Sequence, residues 1–305
     1  MSKIDGTDGL RETGKSPSPK AGGGAKARGR ARLRRGAKRG GAASALLALA
    51  VLALAASAGL SGCAKKEAVL KVGATPVPHA ELLGLVKEDL AAKGIRLEIV
   101  EFSDYVTPNI ALAERQLDAN FFQHVPYLES FAADRGLSLE PAGAVHVEPL
   151  GLYSKKYASL EALPSGAVLA LPNDPTNEGR ALLLLQAKGL LRLAPDAGLK
   201  AGPAQVAENP RGFVFKELEA AQLPRTLADV DAAVINGNYA LSAGLNPVKD
   251  SLLLEGAESP YANIVAVRKS EAGDARIKAL VAALQSRKVK DFIAETYGGG
   301  VVAAF

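Results

Sequence analysis

Val69-Leu70-Lys71-Val72-Gly73-Ala74 decides the fold class once it is read together with Ile95-Arg96-Leu97-Glu98-Ile99-Val100-Glu101. The first run is short and apolar and ends in a loop at 75–78. Between the two, Leu82, Leu83, Val86 and Leu90 recur at helical spacing, with Gly94 as the stop. The second run alternates apolar and polar side chains, as a strand with one buried face does. A strand, a helix and a strand in this order imply parallel pairing through a right-handed crossover. Outward from this unit, strands are expected at 168–171, 213–218, 232–235 and 264–267. Helices are expected at 178–188, 275–285 and 290–297. The alternation places the chain in the α/β class with open, mostly parallel sheets.

Two proline-containing connectors, Glu148-Pro149-Leu150-Gly151-Leu152-Tyr153 and Glu258-Ser259-Pro260-Tyr261-Ala262, are flanked by strand-like segments. If both are crossovers, one lobe is 69–148 plus 261–305 and the other is the insert 152–257. Two connectors make a hinge, and the cleft between lobes is a favoured place for a small ligand.

Upstream, residues 42–60 carry no charged side chain and run into Ser61-Gly62-Cys63, with Lys65 and Lys66 close behind. Small residues before a cleavage point are what a signal peptidase needs. A cysteine as first mature residue offers a thiol for lipid and a new amine for a further acyl chain. Basic flank, apolar stretch, small residues and cysteine resemble a bacterial lipobox. Residues 1–62 are therefore expected to be a lipoprotein signal peptide with a long basic n-region, and 63–68 a tether lipidated at Cys63. The body then sits on the extracytoplasmic (periplasmic) face of the cell membrane. A buried free cysteine, or a membrane span that ends at one, is the alternative.

Residues 1–40 hold 12 Lys and Arg against 3 Asp and Glu, which leaves 25 basic and 29 acidic side chains in 63–305, a net of −4. The overall positive charge belongs to the leader, so no nucleic-acid partner is expected, and Arg28-Gly29-Arg30-Ala31-Arg32 carries only a second reading as a binding arm. With one cysteine in the chain, no disulfide can form within it, and packing must supply the stability.

No Gly-x-Ser-x-Gly elbow, phosphate loop or Gly-x-Gly-x-x-Gly turn is present. His79, His124 and His146 fall in separate segments without metal-ligand spacing. The chain is expected not to be an enzyme and to hold no cofactor and no metal. Phe121-Phe122-Gln123-His124-Val125-Pro126-Tyr127, with Tyr105 upstream, gathers aromatics in a chain that has no tryptophan. Pro126 suits the first turn of a helix. Such rings could enclose an apolar or sulfur-containing group, since thioether sulfur favours aromatic contact. Ordinary core packing competes for one of the two phenylalanines, because neighbours in a strand point to opposite faces.

Asn173-Asp174-Pro175-Thr176-Asn177-Glu178-Gly179-Arg180 opens an apolar helix. Arg180 in its first turn would oppose the helix dipole, which makes sense if the guanidinium grips a carboxylate bidentately. A solvated arginine, or a pair with Glu178, is the alternative. Ala232-Ala233-Val234-Ile235 runs into Asn236-Gly237-Asn238-Tyr239, where Asn236 at a strand C-terminus faces the ligand edge of an α/β sheet and its carbonyl could accept from an ammonium. Turn chemistry competes for this Asn-Gly pair.

Together these segments resemble the methionine-binding lipoproteins of the NLPA family, the solute receptors of ABC importers. The resemblance covers essentially all of 69–305. It includes Phe102-Ser103-Asp104-Tyr105-Val106, the run from Asp118 through Tyr127 to Leu128, Leu171-Pro172-Asn173-Asp174-Pro175-Thr176-Asn177, Gln222-Leu223-Pro224-Arg225, Ser259-Pro260-Tyr261 and Gly298-Gly299. It implies a two-lobed periplasmic-binding-protein (type II) fold, two sheets joined by a two-strand hinge, that closes on an amino acid. It further implies that Arg180 holds the α-carboxylate. Asn236 and Asn263 then help fix the carboxylate and amino groups, with Asn177 near them, and Tyr105, Phe122, His124 and Tyr127 line the side-chain pocket. The implied ligand is L-methionine, D-methionine or a methionine-containing dipeptide, and the implied partner is the permease and ATPase complex of an ABC importer. A monomer is expected. A surface adhesin or structural lipoprotein, and an enzyme on the same fold, are the competing functions.

Overall fold

The structure, a computed structural model, describes residues 68–256 and 260–305; Cys63, the 1–62 leader and Ser259 lie outside the described residues. Strand β1 (Ala68–Ala74) buries Leu70, Val72 and Ala74 completely and pairs in parallel with β2 (Ile95–Glu101), from Ala68 opposite Ile95 to Ala74 opposite Glu101. The crossover between them is not one helix. It is a turn at Pro76–Ala80 followed by α1 (Glu81–Leu85) and α2 (Lys87–Ala91), broken at Val86. Gly84, a poor helix former, lies just before the break. Leu82, Leu83, Val86 and Leu90 still reach the core with no exposure, so the expected buried face holds through the kink.

After α3 (Thr107–Ala113), β3 (Ala119–His124), α4 (Val125–Arg135) and β4 (Leu139–Val147), the chain leaves the first sheet. It builds a second from β5 (Gly151–Tyr153), β6 (Val168–Pro172), β9 (Val214–Leu218), β10 (Ala232–Ile235) and β11 (Ser251–Leu254). Helix α5 (Pro175–Ala187) follows β6, and β7 (Arg192–Leu193) and β8 (Val206–Glu208) form a separate ribbon. Helices α6 (Leu223–Thr226), α7 (Gly237–Ser242) and α8 (Pro247–Asp250) also belong to this second part. The chain then returns to the first sheet with β12 (Ala262–Arg268), α9 (Ala275–Leu284), α10 (Arg287–Tyr297) and β13 (Val302–Ala303). The two sheets have the orders β13-β4-β12-β3-β1-β2 and β11-β5-β10-β6-β9.

Most strands in each sheet run one way. The exceptions are β12 and β13, antiparallel to β4, and β5, antiparallel to β10 and β11. Strands β5 and β12 are the ones by which the chain enters each sheet from the other, so their reversal follows from the two crossings. The crossings are hydrogen-bonded to each other: Glu255 N–H donates to the Leu150 carbonyl at 2.9 Å and Leu150 N–H to Glu255 Oε2 at 3.3 Å. Each lobe has its own core, with Leu70, Phe121, Ile277, Leu284 and Ile293 in the first and Leu152, Leu169, Leu182, Leu185 and Val234 in the second. Burying side chains of this size contributes about 1.5–3 kcal/mol each. Two small cores therefore hold firmly while the joint between them is only two strands wide.

Helix starts differ from the expected ones where a cap was under-read. Ser286 accepts from Val289 N–H, so α10 begins at Arg287 rather than 290. Asp174 caps α5 through Asn177 N–H with Pro175 as its first residue, so this helix begins before 178. Arg180 consequently lies in the second turn, not the first, and the argument from the helix dipole does not apply to it. Gly179 is required here by close approach: a Cβ would lie 2.2 Å from the Leu199 carbonyl oxygen. Among the described residues no helix is long and apolar enough to cross a membrane.

Candidate functional site

Strand β3 is buried along its whole length. Its side chains alternate as a pleat requires. Phe121 enters the first core, and Phe122 faces a cavity between the sheets, so the competition between core and cleft is settled with one ring on each side. At the strand's end His124 caps α4 by accepting Tyr127 N–H on Nδ1 at 3.2 Å. This directs Nε2 across the cleft to Asn177 Oδ1 at 3.3 Å. With one ring nitrogen accepting and the other donating, the imidazole is neutral. Burial, then the charge of Arg180, pushes its pKa down to about 3.

The cavity has an empty volume of about 330 Å³. All eight cleft residues singled out from the sequence, Tyr105, Phe122, His124, Tyr127, Asn177, Arg180, Asn236 and Asn263, border it. Gln123, Glu148, Gly237 and Asn238, which sequence reasoning did not assign, border it as well.

One end is aromatic. The Tyr105 ring lies 5.8 Å from both Phe122 and Tyr127, and Phe122 lies 6.1 Å from Tyr127. Tyr239 adds a fourth ring 4.9 Å from Tyr105. Hydrogen bonds lock these rings: Tyr127 Oη donates to the Tyr105 carbonyl at 2.9 Å and Tyr105 Oη to Asn238 Oδ1 at 2.5 Å. Burial raises the pKa of Tyr105, Tyr127 and Tyr239 above the ordinary phenol value, so all three remain donors at neutral pH.

The other end is polar. Arg180, 4% exposed, donates from Nε to Glu255 Oε1 at 3.0 Å, from Nη2 to Glu255 Oε2, and from Nη2 to the Glu148 carbonyl at 2.9 Å. Its guanidinium lies 4.3 Å from the centre of the Tyr261 ring. The expected alternative partner, Glu178, does not pair with it; Glu178 instead faces Glu217 and Asp174. The planar fork is thus already used by Glu255, and Nη1 makes no hydrogen bond among the described residues.

Asn177 is fully engaged, donating to Asp174 at 2.8 and 3.0 Å and accepting from Asn236 Nδ2 at 2.8 Å and from His124. Asn236 precedes α7 without capping it, so turn chemistry does not account for this residue. Its Oδ1 is buried with no partner. Asn263 lines the cavity and has its Oδ1 3.2 Å from His79 Nε2.

The histidines do not stay apart. His79 and His146 converge on Glu148, with Nε2 atoms 3.2 and 2.7 Å from its Oε1, and all three are buried. These are ligand types that zinc accepts, and their atoms lie within 4.8 Å of one another. Tetrahedral ligands about 2.0–2.2 Å from zinc would stand about 3.3–3.5 Å apart. The 2.7 Å contact is a hydrogen bond instead. Burial lowers His79 to about 4 and His146 to about 3, so both rings are neutral; His146 donates to the carboxylate, and His79 shares its Nε2 between Asn263 Oδ1 and the nearby Glu148. In the sequence Glu148 looked only like a connector; its place beside the cleft was implicit in reading that connector as a hinge.

The NlpA lipoprotein family model matches residues 70–305. Membrane lipoprotein TpN32 of Treponema pallidum is 43% identical over 257 residues, 84% of this chain and 96% of the relative. The D-methionine-binding lipoprotein MetQ of Escherichia coli is 42% identical over 259 residues, 83% and 96% of the two chains. Among solved structures, a nutrient binding protein from Burkholderia cenocepacia bound to methionine superposes with a TM-score of 0.76 at 49% identity, covering 77% of this chain and all of that one. A match of this extent, over both lobes and the cavity between them, places the chain in the NlpA lipoprotein family.

Proposed function

We propose that this protein is a lipid-anchored solute receptor that captures methionine between its lobes and delivers it to the permease and ATPase complex of an ABC importer at the extracytoplasmic face of the membrane. The observation that carries the reading is the division of one cavity into an aromatic box and a polar end. Tyr105, Phe122 and Tyr127 enclose a volume suited to a thioether, whose contact with each ring is worth about 0.3–1.5 kcal/mol. Arg180, Asn236 and their neighbours offer a cation and carbonyl acceptors to the two charges of an amino acid. Relatives named as methionine-binding lipoproteins, and one solved with methionine bound, support the same ligand. The eight cleft residues are the binding set in this reading, with Asn177 orienting His124 and Asn236. Lobes 69–148 plus 261–305 and 152–257 close as a monomer about the paired crossings, without catalysing a reaction. An aromatic-lined cavity counts against a structural lipoprotein that binds no small molecule.

The test is thermal unfolding of ligand-stripped protein. A ligand that binds only the folded state stabilises it by about 2.7 kcal/mol at a hundredfold excess over its dissociation constant. Methionine is expected to raise the melting temperature, and lysine and glutamate are not. Equal shifts from all three, or none from methionine, overturn the assignment.

A further inference from the structure

We infer that Glu148 is the counter-ion for the α-ammonium group of the bound amino acid, held in place by His79 and His146; this rests on the amino-acid reading of the cleft. Glu148 is 5% exposed and borders the cavity. A carboxylate offers about four lone-pair positions. His146 Nε2 donates to Oε1, His79 Nε2 stands 3.2 Å from the same oxygen while bonded to Asn263 Oδ1, and the backbone N–H of Asn238 bonds the carboxylate as well. One direction remains.

No fixed positive charge balances this buried anion. The two histidines that touch it are neutral, and the nearby guanidinium of Arg180 is already paired with Glu255. Burying a charge without a partner is costly, and the pKa of Glu148 is accordingly raised by burial. A second acceptor without a donor, Asn236 Oδ1, is buried on the same cavity wall. Two unspent acceptors, one of them charged, facing one cavity suit a group with several N–H donors and a positive charge. An α-ammonium is such a group. Its carboxylate then falls toward Arg180 Nη1, because Arg180 bonds the Glu148 carbonyl and so stands beside the same residue.

The arrangement also accounts for Gly237. A Cβ there would lie 2.7 Å from Glu148 Cβ and 3.2 Å from Oε2, so any other residue would displace the carboxylate. Two acceptors, Asn263 Oδ1 and Glu148 Oε1, each stand 3.2 Å from His79 Nε2 and so favour the tautomer with the proton there, while Thr75 Oγ1 lies 2.7 Å from Nδ1 and can donate to it. His79 and His146 are thus positioning residues that aim the carboxylate without touching the ligand.

The test compares methionine with 4-(methylthio)butanoate, the same molecule without its amino group, by calorimetric titration of wild type and Glu148→Gln. The substitution is expected to weaken methionine at least tenfold and the amino-free acid less than about threefold. Equal loss for both means that Glu148 only shapes the cavity, and unchanged methionine affinity means that it makes no contact; either result overturns the inference. Should Glu148→Gln fail to fold, Glu148→Asp keeps the charge but withdraws it by one methylene, and the same selective loss for methionine is required of it. Binding of methionine to wild type reports separately on the parent reading, so the two failures are distinguishable.

Discussion

Arg180 is held on three sides by its own chain: the Glu255 carboxylate, the Glu148 carbonyl and the face of Tyr261. Both glutamates belong to the crossings between the sheets, so this one side chain ties α5 to the hinge while it borders the cavity. The residue is therefore structural as well as a proposed ligand contact, which revises the idea of a free fork awaiting a carboxylate. Arg180→Lys keeps the charge and loses the planar geometry. Hydrogen bonds between charged groups are worth about 1.5–3 kcal/mol each. The variant is expected to melt lower than wild type and to bind methionine at least tenfold more weakly, read by calorimetry at a temperature where both are folded. A lower melting point with unchanged affinity would make Arg180 a hinge brace and nothing more.

At the scale of the element, the start of α5 concentrates acids. Asp174 caps the helix, Glu178 follows one turn later, and Glu217 of β9 hydrogen-bonds to Glu178. Burial, and then the neighbouring Glu217, push the Glu178 pKa up to about 7 from an ordinary 4.5. The native state therefore holds an extra proton between those values, and stability falls as pH climbs from about 4.5 to 7. Glu178→Gln removes this dependence while keeping the shape. The variant is expected to equal wild type at pH 4.5 and to exceed it by about 1 kcal/mol at pH 8, after allowance for solvent screening of a partly exposed group. Urea midpoints at the two pH values check it, and identical pH profiles for both proteins would refute it.

The described residues form two lobes that meet across a cleft through bonds that include Tyr105 to Asn238, Tyr239 Oη to the Ser103 carbonyl at 3.1 Å, and His124 to Asn177. Tyr105, Asn238, His124 and Asn177 line the cavity, so a ligand that touches both walls reports directly on closure. Binding that favours the closed arrangement shifts the balance between open and closed forms by its differential affinity for them. The proposed lipid anchor is Cys63. Acyl chains contribute about 0.8 kcal/mol per buried methylene, and more than one chain makes anchoring stable. Cys63→Ala is expected to abolish palmitate labelling in growing cells and to release the body from the membrane fraction. Labelling of the variant at wild-type strength would exclude lipid attachment at this position.

What the sequence determined by itself was local. Period-two and helical patterns placed β2 and β10 at their observed bounds and β1 to within a residue, because side-chain alternation is a property of consecutive residues. The compositionally unusual runs around Phe122, Asn177 and Asn236 marked the cleft, since each ends a buried strand in polar or aromatic side chains. Helix starts were less legible: Asp174 and Ser286 show themselves as caps only when the following amides turn toward them. Tertiary structure alone decided the charges of the site. His79 is far in sequence from His146 and Glu148, which are two residues apart, and only the fold, which lays residue 148 between β4 and the start of α7, brings the three together. Glu255 likewise meets Arg180 only because the two crossings run side by side. Protonation and ion pairing follow from burial and distance, and neither exists until the two lobes have been joined.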